Sequence, residues 1–347
     1  MTSAKKIQED AEIDSAALHR RLTVVDGLQY ANWDREIFEL LLAGGVSGVH
    51  ATLVYHETTR ETLLRLGEWN RRFEANSDLI FPLREIDDIR RAKTEGRIAV
   101  YFGAQNCSPI EDDIDLVAIL RQLGLLIMQL TYNNQSLLAT GCYENNDSGI
   151  TRFGREVIAE MNRVGMVIDM SHSAEHSTLE AIELSSRPTV ISHANPTFFH
   201  DAKRNKSERV LRALAESGGL LGLSVYPMHL AGGADCSLAD YCDMVARTVD
   251  LMGIEHVGIG TDLCQRQPQS TLTWMRNGRW SRTLDYGEGS ADQPDWPTQP
   301  SWFTGARDYP NLTAGLAARG FDAHEIGRIM GENWLDFLTD ATRAAAS

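Results

Sequence analysis

The chain has 347 residues, 43% of them hydrophobic and 23% charged. Those values exclude a disordered or fibrous chain and suffice for a large core. Thirty-three basic against 48 acidic residues leave a net charge of −15, with no basic stripe for nucleic acid or an anionic membrane surface.

Residues 1–21 read as a leading helix. Short β-branched apolar runs follow near 22–28, 46–54, 98–103, 125–131, 166–171, 189–192, 220–225 and 257–261. Amphipathic helical patterns separate them at 34–43, 58–75, 114–122, 154–164, 174–184, 207–216 and 238–251. Continuous apolar strands alternating with such helices predict a parallel sheet covered by helices. Eight units favour an α/β fold of the closed (β/α)8, TIM-type barrel over an open doubly wound sheet. No Gly-x-Gly-x-x-Gly follows the first run, which counts against a dinucleotide site. The whole of 1–347 reads as a single barrel domain.

The segment 265–304 interrupts the pattern. It is polar, rich in Gly, Pro and Arg, and holds four of the seven tryptophans: Trp274, Trp280, Trp296 and Trp302. A structureless stretch of this length after the last strand would lie at the barrel mouth as a lid or an oligomer contact, or pack on the surface as a tail. A helical finish follows over 312–345. The N-terminus lacks the apolar core of a signal peptide, and no run reaches the roughly 18 apolar residues of a membrane span. Five scattered cysteines without a Cys-x-x-Cys pair read as reduced thiols, so the expected location is the cytoplasm.

Polar residues at the C-terminal ends of barrel strands converge on one site. Here strand five ends in Ile168-Asp169-Met170-Ser171-His172, strand six in Val190-Ile191-Ser192-His193, and the last strand in Gly260-Thr261-Asp262. Two imidazoles and a carboxylate suit zinc or another divalent metal, with Asp262 placed to accept a proton from activated water. Each residue alone could be a core histidine or a helix cap; three at three strand ends point to a site. His50 and His56 share the parity of strand two and could also line it. The remaining histidines, His229 among them, read as helix, loop or surface residues.

These stretches resemble the membrane dipeptidase (renal dipeptidase) family of zinc peptidases, within the amidohydrolase-type barrels. The similar segments include Val25-Asp26-Gly27, Ile168–His172, Arg187–His193, Lys203-Arg204-Asn205, His256–Asp262 and Tyr309-Pro310-Asn311-Leu312. The resemblance implies metal roles for His172 and His193, substrate binding by Arg204, a proton role for Asp262, and a homodimer. It implies a binuclear site in other members, with one zinc on Asp-Gly-His-x-Asp after strand one and a bridging glutamate after strand three. Here strand one reads Asp26-Gly27-Leu28-Gln29-Tyr30, the glutamate's place holds Gln105, and the family's substrate-binding histidine is Tyr132. Leu28 cannot ligate, and without the carboxylates two adjacent dications would repel uncompensated. One zinc ion at most is expected, with Gln105 and Tyr132 offering hydrogen bonds to substrate and Leu28 and Tyr30 lining a rebuilt pocket.

The expected activity is metal-dependent hydrolysis of a dipeptide or a similar small carboxylate-bearing amide. Two alternatives stand beside it. One is a lyase, isomerase or non-peptide hydrolase, in which the tryptophans of 265–304 cage a quaternary ammonium metabolite. The other is a metal-poor, non-catalytic binding protein.

Overall fold

The structure, a computed structural model, describes residues 13–283, 287, 289–292 and 294–343. The first part of the leading helix and the last residues of the helical finish lie outside them.

Among the described residues ten strands form one parallel sheet: β1 (Val24–Ala31), β2 (Val46–Val54), β3 (Ile80–Pro82), β4 (Ile98–Ala104), β5 (Leu125–Gln129), β6 (Val167–Asp169), β7 (Val190–Ala194), β8 (Leu220–Leu223), β9 (Val257–Ile259) and β10 (Leu263–Gln265). The order β10-β1-β2-β4-β5-β6-β7-β8-β9 explains the closure. β9 pairs with β8 and β10 pairs with β1. The eighth position of the barrel is thus one strand broken at Gly260-Thr261-Asp262, each half serving a different neighbour. Asp262 adopts φ 56°, a left-handed conformation that aspartate tolerates better than most side chains. β3 was not expected: three residues ending in Pro82 give no periodic signal, yet they pair with the start of β4, while β5 pairs with its end.

The helices are α1 (Ser15–Arg21), α2 (Arg35–Ala43), α3 (Thr59–Ala75), α4 (Asp88–Glu95), α5 (Asp115–Gln122), α6 (Arg152–Val164), α7 (Glu175–Leu184), α8 (Glu208–Glu216), α9 (Leu238–Met252), α10 (Gln269–Asn277), α11 (Tyr309–Arg319), α12 (Ala323–Gly327) and α13 (Asn333–Thr342). Their starts follow sequence chemistry. Asp34, Thr58, Thr151, Ser207 and Ser237 each accept a backbone N–H at a helix N-terminus, and Thr58 with Glu61 forms a capping box. Among the described residues no helix is long and apolar enough to cross a membrane.

The end of the barrel where the strands begin is plugged by Trp334 of α13. Its ring would lie 2.0 Å from a Cβ at Gly27 and 2.7 Å from one at Gly258, so both positions must be glycine. The indole N–H donates to the Ile259 carbonyl at 2.8 Å. Chemistry is confined to the opposite end. There the 265–304 segment departs from the expected structureless stretch, because α10 forms within it and packs at the mouth.

Candidate functional site

His172 follows β6 and His193 lies inside β7; a buried carboxylate between the two strands sets both. Asp169 accepts the Ser171 and Ser192 amides at 2.9 and 3.2 Å and both serine hydroxyls at 2.5 Å. Burial pushes the Asp169 carboxyl up and these hydrogen bonds pull it down. With four donors and no acceptor facing it, the ionised form is the one the network satisfies. Since the Ser192 hydroxyl donates to Asp169, it accepts from His193 Nδ1, 2.7 Å away. That tautomer leaves His193 Nε2 without a proton.

The second imidazole is held in the same way. His172 Nδ1 lies 2.6 Å from Asn133 Oδ1, which also receives the Cys142 thiol at 3.4 Å. Nδ1 is therefore the donor and Nε2 is bare. The two Nε2 atoms lie 3.1 Å apart, and Gln105 Oε1 lies 3.0 Å from His172 Nε2. Gln105 is oriented by its Nε2, which donates to Thr52 Oγ1 at 2.9 Å. Three lone-pair atoms thus face one point with no proton assigned between them. Burial first, then the Arg204 charge, drives both imidazoles well below their ordinary pKa. They stay neutral, the form in which histidine binds metal.

This arrangement fits one cation. Two ligands about 2.0–2.1 Å from a tetrahedral zinc sit roughly 3.3 Å apart, close to the separation seen here. Outer hydrogen bonds that fix each Nδ1 are the usual support of metal-binding histidines. The donor set is thin, however. Among the described residues no group of three or more His, Cys, Asp or Glu side chains could hold an ion. The third protein donor is the neutral Gln105 amide.

Beside these rings a cavity opens, lined by His172, Gln105, Tyr132, Tyr30, Arg204 and Asp262 together with Asn133, Tyr143, Tyr226, Met228, His229, Leu272, Met275 and Arg276. His193 supports it from behind and is fully buried. Asp26, on β1, fixes the position of Asp262. Its carboxylate accepts the Thr261 amide at 2.8 Å and hydroxyl at 2.5 Å, the Gln29 amide at 2.8 Å and the Tyr309 hydroxyl. It thereby holds the broken strand closed. Burial raises the Asp262 pKa to about 8, against a downward pull from Arg204. Arg204 is also buried and donates to the carbonyls of Ser171 and His193. Lys206 donates to the Ser173 carbonyl at 2.7 Å. Arg204 and Lys206 therefore hold the backbone on both sides of His172, with burial lowering the Lys206 pKa to about 7.

The other half of the mouth is packed with rings. Leu28, Tyr30, Tyr55, Tyr132 and Met275 form a separate buried cluster, with Trp274 and Trp296 against it. Tyr132 stacks on His172 with centroids 4.1 Å apart, and Tyr30 meets Trp296 at 5.9 Å. Leu28 is fully buried and does not line the cavity. The expected tryptophan cage is corrected here: Trp274 and Trp280 lie edge-on to His56, at 5.6 and 4.5 Å, and no tryptophan lines the cavity. Its rings are tyrosines and histidines.

The lesser candidates His50 and His56 fall outside the cavity. Both are buried and neither lines the cavity. His50 lies inside the barrel, where Nδ1 meets the Gly27 carbonyl at 2.6 Å and the ring fills the space a Cβ would need at Gly103. Conversely, His229 is buried and lines the cavity, with Nδ1 2.9 Å from Ser224 Oγ. Sequence reading also passed over Asn133, Ser192 and Asp169 as supports for the imidazoles. Asn133, adjacent to Tyr132 just after β5, carried a positional signal. Arg276, within the segment read from sequence as structureless, carried none.

Comparisons with known proteins agree with this architecture. The profile of the membrane dipeptidase family (Peptidase family M19) matches residues 28–271. Dipeptidase tcpJ of Claviceps purpurea is 24% identical over 300 residues, covering 85% of this chain; the chain spans 63% of that protein's length. An amidohydrolase structure from Pseudomonas aeruginosa is 35% identical, with a TM-score of 0.90 over 95% of this chain and 99% of that one. A metallopeptidase structure from Rhodobacter sphaeroides, bound to a phosphinate mimic of the dipeptide L-Ala-D-Ala, shares the fold at 18% identity. Its TM-score is 0.77, covering 92% of this chain and 99% of that one. With the profile covering most of the barrel, the chain belongs to the membrane dipeptidase family of metallopeptidases.

Proposed function

We propose that this chain hydrolyses a dipeptide, or a similar small amide bearing a carboxylate, with a single divalent ion held by His172 and His193. The observation that carries this reading is the pair of unprotonated Nε2 atoms 3.1 Å apart beside a cavity lined by Asp262 and Arg204. The family is zinc-dependent. When bound, the ion supplies Lewis-acid polarisation of the scissile carbonyl and makes water a stronger nucleophile at neutral pH.

The chain's own residues provide the rest. Asn133 and Ser192 keep the imidazoles in the ligating tautomer. Asp262, with its pKa at about 8, holds a proton at neutral pH in the metal-free protein and is placed to exchange it with water and the leaving amine. Arg204 contributes a buried cation for the substrate carboxylate. Tyr132 keeps its phenol protonated, since burial drives its pKa far up, and so offers a hydrogen-bond donor. A second ion has no carboxylate or imidazole at Leu28, Tyr30 or Gln105 to hold it.

Elemental analysis of protein equilibrated with zinc, combined with a dipeptide panel, tests this. One ion per chain and measurable turnover are expected. Two ions per chain, or no turnover with zinc, manganese or cobalt, would overturn it. One observation favours a second reading: Tyr30, Tyr132, Tyr143 and Tyr226 all line the cavity, a wall suited to a quaternary ammonium group. Thermal stabilisation by tetramethylammonium, without stabilisation by any dipeptide, would select that reading.

A further inference from the structure

The catalytic cavity has an imidazole that the hydrolase reading leaves without a role. His229 ends the short turn Pro227–His229 after β8, is buried, and lines the cavity. It is fixed on two sides: the Asn195 and Asn205 side-chain amides donate to its carbonyl at 3.2 and 3.0 Å, and Nδ1 lies 2.9 Å from Ser224 Oγ. The serine sets the tautomer. Ser224 is fully buried, and its Oγ accepts the Tyr226 amide at 3.0 Å. Among the described residues, His229 Nδ1 is the one acceptor within reach of the Ser224 hydroxyl proton. The hydroxyl therefore donates to a bare Nδ1, and the ring proton sits on Nε2. Nε2 has no hydrogen-bond partner among the described residues, yet it is not sealed off from open space. The ring thus presents an N–H to the cavity. Burial first, then the Arg204 charge, holds the His229 pKa well below its ordinary value, so this donor is neutral.

A donor in this place answers an oxygen, not a metal. His172 and His193 turn lone pairs toward their common point, whereas His229 turns a proton toward the cavity. Its neighbours select which oxygen it meets. Tyr132 stacks on His172 and so stands at the imidazole pair. The foremost charge acting on His229 is that of Arg204. Arg204 Nη1 and Nη2 both donate to backbone carbonyls, so it acts on a substrate carboxylate chiefly through its charge. A directed hydrogen bond from a neutral ring complements such a charge. We propose that His229 is a substrate-binding residue that donates its Nε2–H to the substrate carboxylate beside Arg204, and so selects ligands with a free carboxylate. The inference rests on the hydrolase reading above and adds a binding residue to it.

The test compares Ala-Ala with Ala-Ala amide on zinc-loaded protein, in the unaltered chain and in His229→Phe, which keeps a ring and removes the donor. A hydrogen bond to a charged group predicts that KM for Ala-Ala rises roughly 10-fold to 100-fold in the variant, with kcat changed far less. Ala-Ala amide should lose much less. His229→Gln, whose amide can still donate, should recover part of the loss. An unchanged KM for Ala-Ala, or an equal loss for acid and amide, overturns the assignment. So does a loss confined to kcat, the mark of a donor to the developing oxyanion. If neither variant folds, the nitrogen NMR resonances of His229 in the unaltered protein decide. A proton on Nε2 supports the proposal, and a proton on Nδ1 with Nε2 bare refutes it. If no dipeptide turns over, the hydrolase reading fails by itself, and calorimetric titration with the same two ligands tests His229 alone. Weaker binding of Ala-Ala in His229→Phe would then support its role, and equal binding would refute it.

Discussion

The two sides of the barrel mouth are built from the same kind of strand ends but filled with opposite chemistry. At β6, β7 and the broken eighth strand, buried polar groups come in satisfied chains: Asp169 to Ser192 to His193, Asn133 to His172, and Asp26 to Thr261 beside Asp262. At β1 and the end of β5, the corresponding positions carry Leu28, Tyr30 and Tyr132, packed with Tyr55 and Met275. The contrast sets imidazoles oriented by outer hydrogen bonds on one side against packed rings on the other. On the second side rings fill the space, and packing supplies the stability that hydrogen bonds supply on the first.

The sharpest way to break this contrast is His193→Ala. It removes one of two imidazole donors, so zinc content should fall from one ion per chain to none and turnover should be lost; retained zinc by elemental analysis would place the ion elsewhere. Asp262→Asn is expected to lower kcat/KM about 10²-fold to 10⁴-fold, the usual weight of a positioned acid–base group. Its effect on the metal-free protein has a defined sign. The folded carboxyl titrates at about 8 and an unfolded one at about 4, so the native state binds the extra proton between these values and loses stability as pH rises. Asp262→Asn should therefore melt higher than the unaltered metal-free protein at pH 8 and alike at pH 3, as read by thermal scans.

A smaller effect is expected from Asn133→Ala, which releases the His172 tautomer without removing a ligand. Zinc affinity should fall about 10-fold to 100-fold in competition with a chelator. On the ring side, Leu28→Ala should cost about 2–5 kcal/mol of unfolding free energy by leaving a void, with zinc content unchanged. Denaturation and metal analysis of that one variant together sharpen the contrast, because a loss of zinc would show that the packed half also holds the ion.

Much of the architecture was readable from residue order alone. Continuous apolar runs, alternating with amphipathic helices, specified strands and helices through local geometry. His172, His193, Arg204 and Asp262 stood out because their residue types recur at strand ends with family spacing. Leu28, Tyr30, Gln105 and Tyr132 stood out as expected departures from the family's ligand pattern, since ligand chemistry is a property of the side chain itself. Long-range contact supplied the remainder. β3 exists because Ile80–Pro82 meets the open flank of β4, and β9 and β10 divide because β8 and β1 each claim half a strand. Burial turned His50 inward and brought His229 to the cavity, though both are lone histidines in sequence. Tautomers, the common point of three lone pairs, and the approach of Arg276 depend on partners 11 to 235 residues apart, such as Arg204 with His193 and Asp26 with Thr261. No local pattern encodes such pairings; they form only when the sheet closes and excludes water.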